Sequence, residues 1–302
     1  YKELASAKVI IENTNIVERL YAYKKKEQFL LQTWHGSLGI KRLDGDVVMG
    51  FRWKQLAKRC QKTVDYLLSN SNFETEVFRT AYWKDVPSIL VGHARNDIFF
   101  IKDQEKVARI NKKVHRFLNI DEDTHIFLFA PTHRDDVDES YQPLNYEMIK
   151  EALEERFGGK WQIVIRLHNR LKKESRSWLN LLPSYVSDAT FYEDMQELLL
   201  CTDVGLTDYS SWIFDFVLSG KPGFIIELNL EDYENARGFY YPIDTTPFPI
   251  ATSSEELADN IRKFDAEKYA KDKDVFLAAR GCMEDGHASE RIVEKINELM
   301  AK

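Results

Sequence analysis

Residues 202–215, TDVGLTDYSSWIFD, decide the fold of this chain. The apolar run Val204–Leu206 is typical of a buried strand, and Asp208 is typical of a turn. The residues after Ser210 and Ser211 are typical of a helix. A strand that runs through a short turn into a helix is the unit from which parallel α/β sheets are built. The amide groups at the start of such a helix attract anions, so this stretch predicts a phosphate site without a glycine-rich loop.

The same alternation of short apolar runs and amphipathic stretches extends over the whole chain. The predicted strands are residues 7–12, 29–32, 66–69, 89–91, 126–130, 162–167, 204–207 and 223–226. The predicted helices include residues 54–64, 72–82, 102–117 and 288–300. Alternating strands and helices predict an α/β fold with doubly wound parallel sheets.

Composition and charge indicate a globular protein with two domains. The chain has 302 residues, of which 44% are hydrophobic and 30% are charged. Residues 1–120 carry 22 basic and 13 acidic side chains, whereas the remainder carries 20 and 36. Two halves of opposite net charge suggest different partners. The basic clusters at 24–26 and 52–62 are either solvated helix faces or sites that attract an anionic surface. The three cysteines have no metal-like spacing, and no apolar run is long enough to span a bilayer.

Polar clusters follow the predicted strands, at the edge where α/β sheets bind ligands. His35 and Gly36 follow the strand 29–32, and Asp208, Ser210 and Ser211 follow the strand 204–207. Three further clusters lie after strands or on a loop, and they contain Thr132 and Arg134, His168, and Arg237. Any one of these signals is weak, whereas their shared position at strand ends makes them candidates for one binding site.

Each candidate also has a structural interpretation. His35 is a general base or a loop histidine, and Gly36 beside it permits a close backbone approach or an unusual turn. Arg134, Arg237 and His168 suit phosphate oxygens, although loop arginines are often surface ion pairs. The remaining candidates have local alternatives: Ser210 and Ser211 as a helix cap, Asp208 as a turn residue.

Several classes of site are excluded by the absence of their motifs. The chain has no GxxxxGK[ST] loop, no GxGxxG after a strand and no GxSxG elbow. It also lacks HExxH and paired CxxC motifs, so no zinc site is predicted. We interpret the acidic residues Asp135, Asp136 and Asp138 as a surface loop rather than a site for a divalent ion.

With these residues in view, the chain resembles the CDP-glycerol glycerophosphotransferase family of teichoic acid polymerases and primases. The matching segments, in the family's order, are QTWHGSLGIKRL (32–43), the SNSNF–VGHARND region (69–97), FAPTHRDD (129–136), IRLHNR (165–170), DMQELLLCTDVGLTDYSSWIFDFVLSGKP (194–222) and EDYENARGFYY (231–241). The resemblance departs from the family's usual pattern at Ser37, at Ala94 and at Asn169.

The resemblance implies a GT-B-like fold, in which two Rossmann-like domains face each other across a cleft. It implies an acceptor-side domain at 1–101, incomplete at its start, and a CDP-donor-binding domain at 102–302, with the last helix packing back on the first domain. It also implies transfer of glycerol phosphate, or a related polyol phosphate, from a CDP-activated donor to a polymer hydroxyl, with release of CMP.

The family resemblance assigns roles to the candidates. His35, Gly36 and His168 are the expected catalytic residues, and Lys41 and Arg42 lie on the acceptor side. The expected donor-binding residues are Thr132, Arg134, His168, Asp208, Ser210, Ser211 and Arg237. No metal or other cofactor is expected.

The resemblance also implies partners and a location. The donor is CDP-glycerol or a similar CDP-polyol, and the acceptor is an anionic polyol-phosphate polymer or a lipid-linked glycan. We expect peripheral association with the inner face of the plasma membrane from the cytoplasm, and no nucleic acid.

Two alternatives stay open. One is a GT-B glycosyltransferase that uses a nucleotide sugar, as sialyl- and polysialyltransferases do. The other is a non-catalytic domain of a larger polymer-synthesis protein that binds the acceptor or the membrane.

Overall fold

The chain forms two compact units. A computed structural model describes residues 2–14, 24–39, 41–47, 50–132, 144–167, 183–227 and 238–302. The first unit consists of Tyr1–Phe100, Asn235–Tyr241 and Leu277–Lys302, and the second of Ile101–Glu234 and Pro242–Phe276. The two units are therefore interleaved along the chain, whereas the sequence-based division placed residues 102–302 in one domain, with the last helix packing back on the first.

The first unit contains a four-stranded parallel sheet. Its strands are β1 (Val9–Glu12), β2 (Phe29–Gln32), β3 (Tyr66–Ser69) and β4 (Ser88–Leu90), in the spatial order β1-β2-β3-β4. The strands are in register so that Ile10 pairs with Leu30 and Leu68 with Ile89. All carboxyl ends consequently lie at one edge of the sheet.

Helices cover both faces of this sheet. Among its described residues, the helices of the unit are Lys2–Ser6, Phe51–Thr63, Asn72–Ala81 and Ala288–Met300, with 3₁₀ helices at Asp44–Asp46 and Ala94–Phe100. Leu30 and Leu67 pack against Cys60 and Phe78 from the helices after β2 and β3. The next residue of each strand, Leu31 and Leu68, packs on the other face against Ile292 and Leu299 of the C-terminal helix. The period-two alternation of a strand thus buries both faces.

The second unit contains a six-stranded parallel sheet. Its strands are β5 (His125–Phe129), β6 (Trp161–Ile165), β7 (Val186–Asp188), β8 (Val204–Thr207), β9 (Gly223–Ile226) and β10 (Ile250–Ala251), in the order β10-β9-β8-β5-β6-β7. Its α-helices, in the parts of the unit that the structure describes, are Gln104–Leu118, Tyr146–Phe157, Met195–Cys201, Ile213–Phe216, Ser254–Arg262 and Ala266–Ala279, the last of which ends in a segment of the first unit. Every residue of β6, β8 and β9 is buried, as expected for strands covered on both faces.

The predicted parallel α/β fold is confirmed. The strands 29–32, 66–69, 204–207 and 223–226 and the helix 288–300 have the predicted bounds, and most other elements differ by one to three residues. The short strands β7 and β10 were not predicted. Among the described ranges, no helix is long and apolar enough to cross a membrane.

Candidate functional site

His35 lies just beyond the end of β2, at the carboxyl edge of the first sheet. The preceding residue, Trp34, has a φ of +53°, which turns the chain sharply there. The Trp34 amide donates to the side chain of Gln32 at 2.8 Å, and the rings of Trp34 and His35 lie 4.2 Å apart. His35 itself is exposed to solvent.

The imidazole of His35 is oriented by a backbone carbonyl. Its Nδ1 lies 2.7 Å from the carbonyl oxygen of Asn13, which follows β1. A carbonyl only accepts hydrogen bonds, so Nδ1 carries the proton and Nε2 of the neutral ring holds a lone pair. The arrangement leaves His35 suited to accept a proton at Nε2.

The unusual turn predicted at Gly36 lies instead at Trp34, since the φ of Gly36 is outside the left-handed region. The lack of a side chain at Gly36 has a different use. A Cβ there would lie 3.3 Å from the ring of Trp34, and the Gly36 carbonyl accepts a hydrogen bond from Nη2 of Arg95. Gly36 therefore allows close packing on the Trp34 ring.

A cavity of about 210 Å³ opens beside His35 within the first unit. Residues that follow β1, β2 and β4 line it, including Asn13, Trp34, His93 and Arg95. Sequence reasoning included the segment 69–97 in the family resemblance but did not assign His93 or Arg95 to the site. Their position after β4 is the same signal that identified His35.

One buried glutamate, Glu74, and one partly buried glutamate, Glu284, hold the loop after β4. The carboxylate of Glu74 accepts a hydrogen bond from the Asn70 amide at 2.8 Å, and its Oε2 also lies 2.9 Å from Nε2 of the His93 ring. Glu284, from the C-terminal segment, accepts from the His93 amide at 3.2 Å and from Asn96 at 2.8 Å. Burial raises the pKa of Glu284 above its ordinary value, against the lowering effect of these donors.

The predicted acceptor-side residues Lys41 and Arg42 contact a distant segment of the chain. Lys41 forms an antiparallel bridge with Phe239. The Arg42 amide donates to Gly238 at 3.2 Å, and its Nε donates to the carbonyl of Phe239 at 3.1 Å. These contacts attach the segment 238–241 to the first unit.

In the second unit, Asp208 ties the end of β8 to the end of the neighbouring strand β5. It is only 2% exposed, and its Oδ1 lies 2.7 Å from both the amide nitrogen and the hydroxyl oxygen of Thr132. The carbonyl of Ala130 accepts from Thr207 at 2.8 Å and from the indole of Trp212 at 2.7 Å. The bonds from Thr132 to Asp208 thus fix the position of Thr132 beside the ends of β5 and β8.

The helix after Ser210 and Ser211 is shorter than the sequence suggested. It spans only Ile213–Phe216, its N-cap residue is Trp212, and no side chain caps it. A single helical turn has a small dipole, so the helix macrodipole contributes little here, and the attraction of an anion to this stretch stays a prediction. Ser210 and Ser211 are partly exposed, so their hydroxyls remain candidates for an anion.

Three of the predicted donor-binding residues, Arg134, His168 and Arg237, lie outside the described residues, as do the acidic residues 135, 136 and 138. In the chain, His168 follows β6, and β6 and β8 are the two neighbours of β5 in the sheet. Among the side chains that the structure describes, no group of three or more His, Cys, Asp or Glu is placed to hold a metal ion.

The family of the chain follows from comparison with known sequences. Residues 1–298 match the family described as CDP-Glycerol:Poly(glycerophosphate) glycerophosphotransferase. The chain is 31% identical over 294 residues to a teichoic acid poly(glycerol phosphate) polymerase of Staphylococcus epidermidis, which covers 92% of this chain but 40% of the relative. It is 30% identical over 306 residues to a teichoic acid glycerol-phosphate transferase of Staphylococcus aureus, covering 96% of this chain and 76% of the relative.

Solved structures agree with the fold. A structure of a variant of the wall teichoic acid polymerase TagF, soaked for 15 minutes with CDPG, superposes with a TM-score of 0.79 at 27% identity. The match covers 99% of this chain and 73% of that one. Anabaena Alr3699/HepE in complex with UDP-glucose shares the fold alone, with a TM-score of 0.52 at 12% identity over 96% of this chain and 79% of that one. The predicted GT-B-like fold and the predicted resemblance are both confirmed, and the chain belongs to the CDP-Glycerol:Poly(glycerophosphate) glycerophosphotransferase family.

Proposed function

We propose that this chain transfers glycerol phosphate, or a related polyol phosphate, from a CDP-activated donor to the terminal hydroxyl of a polyol-phosphate polymer. The hydroxyl oxygen attacks the β-phosphorus of the donor. The bond from that phosphorus to the bridging oxygen breaks, and CMP leaves with the electron pair. The hydroxyl proton passes to Nε2 of His35.

The orientation of His35 carries this proposal. Its Nδ1 is held by the carbonyl of Asn13 at 2.7 Å, so Nε2 is the nitrogen that can accept a proton, and His35 lines the adjoining cavity. A histidine fixed in one tautomer by a second partner is the usual form of a general base. Family membership supplies the reaction class that such a base would serve.

The donor half of the proposal rests on the carboxyl edge of the second sheet. Thr132, Ser210 and Ser211 present hydroxyl groups after the adjacent strands β5 and β8. We propose that Ser210 and Ser211 bind the diphosphate together with Arg134, His168 and Arg237, and that Thr132 contacts the donor while its hydroxyl donates to Asp208. Positioned donors of this kind provide most of the catalysis in phosphoryl transfer, and no metal is part of the proposal.

We propose that the protein works at the anionic inner face of the plasma membrane, which it reaches from the cytoplasm. Its acceptor there is a polyol-phosphate polymer or a lipid-linked glycan. The helix Phe51–Thr63 supports this, because it carries five basic residues and no acidic one. Phe51, at its start, is 74% exposed. Each such cation near an anionic surface contributes about 1 kcal/mol of attraction. Sedimentation with phosphatidylglycerol vesicles, but not with phosphatidylcholine vesicles, is the expected result.

A donor panel tests the reaction. The chain is incubated with CDP-glycerol, CDP-ribitol, a CMP-sugar or UDP-glucose, together with a short polyol-phosphate acceptor. Released nucleotides are separated by chromatography and products are weighed by mass spectrometry. We expect CMP and an acceptor longer by one polyol phosphate, with CDP-glycerol or CDP-ribitol only.

The variant His35→Gln separates the base from the binding site. Loss of a general base lowers kcat by about 10²–10⁴-fold. Donor affinity is expected to stay unchanged. The control is His287→Gln, because His287 is an exposed histidine of the same unit. Turnover of His35→Gln at the wild-type rate contradicts the role of His35, and sugar transfer from UDP-glucose or a CMP-sugar favours the glycosyltransferase alternative. Donor binding without turnover by any donor favours the non-catalytic alternative.

A further inference from the structure

We propose that Arg95 binds the phosphodiester group that adjoins the acceptor's terminal hydroxyl, inside the cavity that holds His35. The inference rests on the proposed function and assigns a ligand class to this cavity. The ligand is a polyol phosphodiester that ends in a free hydroxyl.

The cavity brings a base and a cation together. Arg95 and His93 follow β4, whereas His35 follows β2, and all three line the same space of about 210 Å³. A water molecule occupies about 30 Å³ in the liquid, so the space is large enough for a unit of several heavy atoms, such as glycerol phosphate. Within such a unit, the free hydroxyl and the phosphodiester are separated by only a few bonds.

Arg95 is fixed beside the base by a direct contact. Its Nη2 donates to the carbonyl of Gly36, the residue after His35. The planar guanidinium matches two phosphate oxygens at once, which a lysine cannot do. The contact therefore couples the position of a phosphate-binding group to the position of the hydroxyl's proton acceptor.

The carboxylates behind the cavity accept hydrogen bonds from the loop that carries Arg95. Glu74 is 2% exposed and is paired with the ring of His93 at 2.9 Å. Glu284 accepts from the His93 amide and from the side chains of Asn70 and Asn96 at 2.8–3.2 Å. These bonds point the two carboxylates at the loop after β4 and fix its conformation.

The loop can approach Glu284 this closely because residue 92 is a glycine. Gly92 has a φ of +86°, and a Cβ there would lie 3.0 Å from Oε2 of Glu284. The positions of His93 and Arg95 thus depend on a buried network rather than on flexible surface side chains.

Binding measured without any nucleotide donor tests the proposal. The probe is glycerophosphoglycerol, the diester of two glycerols with one phosphate, and glycerol is the neutral comparison. Calorimetry gives the dissociation constant, and the ¹⁵N-labelled imidazole signals of His35 report the place of binding. The variants are Arg95→Gln, Arg95→Lys and the control Arg79→Gln, whose arginine is 57% exposed on a helix of the same unit.

We expect Arg95→Gln to raise the dissociation constant of the diester by about 10–100-fold, since it removes a charge-assisted pair. Arg95→Lys keeps the charge but loses the planar guanidinium that can donate to two phosphate oxygens, and we expect the dissociation constant to rise by about 3–10-fold. Arg79→Gln leaves the constant unchanged. The wild-type His35 signals shift on addition of diester and not on addition of glycerol at the same concentration.

Several results would overturn the proposal. They are wild-type affinity for the diester in a folded Arg95→Gln, diester binding that leaves the His35 signals in place, and the absence of saturable binding below about 10 mM. Should Arg95→Gln fail to fold, Arg95→Lys decides the matter, and an unchanged constant in that variant is the contrary result. A wild-type chain that binds the diester but releases no CMP from any CDP donor refutes the proposed function and leaves this site standing.

Discussion

Replacement of Asp208 provides the sharpest test of how the second unit positions its strand ends. The side chain is 2% exposed, and its Oδ1 accepts from the Thr132 amide and hydroxyl, each at 2.7 Å, and from the Tyr209 amide at 2.5 Å. The variant Asp208→Asn keeps the shape and one acceptor oxygen but removes the charge. The variant Asp208→Ala removes the acceptor altogether.

The expected magnitudes follow from these bonds. A hydrogen bond to a charged group contributes about 1.5–3 kcal/mol, and a neutral one about 0.5–1.5 kcal/mol. Asp208→Asn therefore loses about 1 kcal/mol for each of the three bonds that it weakens, or about 3 kcal/mol in all. Asp208→Ala leaves the buried Tyr209 amide and the Thr132 amide without this acceptor, so its expected cost is about 3–5 kcal/mol.

Urea unfolding gives these free energies. A double-mutant cycle that combines Asp208→Asn with Thr132→Val isolates the interaction between the side chains of Asp208 and Thr132. The coupling energy between the two side chains is expected to be about 1–2 kcal/mol. The control Asp259→Asn changes an aspartate of the same unit that is 53% exposed and pairs with Lys263. An exposed pair of this kind contributes about 0.3–0.5 kcal/mol.

The same variants connect the positioning role to function. If Asp208 holds Thr132 for the donor, Asp208→Asn raises KM for CDP-glycerol in a folded protein and Asp259→Asn does not. The reasoning is refuted if Asp208→Asn unfolds within about 0.5 kcal/mol of the wild type, or if its effect is additive with that of Thr132→Val.

Three further variants probe the first unit, all by urea unfolding. Burial raises the folded-state pKa of Glu284 above 4.5, so its contribution is fully present below that pH and is lost as the pH rises through the folded pKa. The stability of the wild type relative to Glu284→Gln should fall as pH increases, and a constant difference contradicts this. Gly92→Ala places a Cβ at a positive φ with neighbouring atoms at 3.0 Å, and we expect it to lower the free energy of unfolding by about 2–4 kcal/mol. Its control, Gly220→Ala, has a positive φ in open space and should lower that free energy by about 1 kcal/mol. Equal losses in the two variants would show that the contacts at Gly92 are relieved. Asp97→Ala removes the acceptor for the first amides of the helix Ala288–Met300, at 3.0 and 2.7 Å, with an expected cost of about 1–2 kcal/mol; a loss below about 0.3 kcal/mol would mean that water replaces this cap.

Local patterns were sufficient to predict most elements of the fold. Strands such as β8 and β9 are buried along their whole length, so they are continuous apolar runs in the sequence. The strands β7 and β10 have only three and two residues, too few for a recognisable period. The apolar run after Ser211 also resembles a longer helix, but it tightens into a 3₁₀ turn that ends at Gly220 with a φ of +72°.

The interleaving of the two units had no local signal. The bridge between Lys41 and Phe239 joins residues that are far apart in the chain, and neither residue type favours such a pairing. Sequence patterns of strands and helices report which face is buried, and they do not report which element covers it.

The candidate site shows the same division. His35 was identified because it directly follows a strand and precedes a glycine. The support of the cavity was not identified, because Glu284 and His93 are separated by 191 residues and meet only in the folded protein. A buried glutamate and a surface glutamate are alike in a single sequence.

The interleaved first unit has a consequence for synthesis on the ribosome. The sheet β1–β4 is complete in the nascent chain long before the segment Leu277–Lys302 emerges to cover its second face. The cap between Asp97 and Ser289 spans 192 residues, which is a delay of roughly 10–40 s at ordinary rates of translation. Until then Leu31, Leu68 and Val91 lack the cover that Ile292 and Leu299 provide in the folded unit, so one apolar face of the sheet stays open during synthesis.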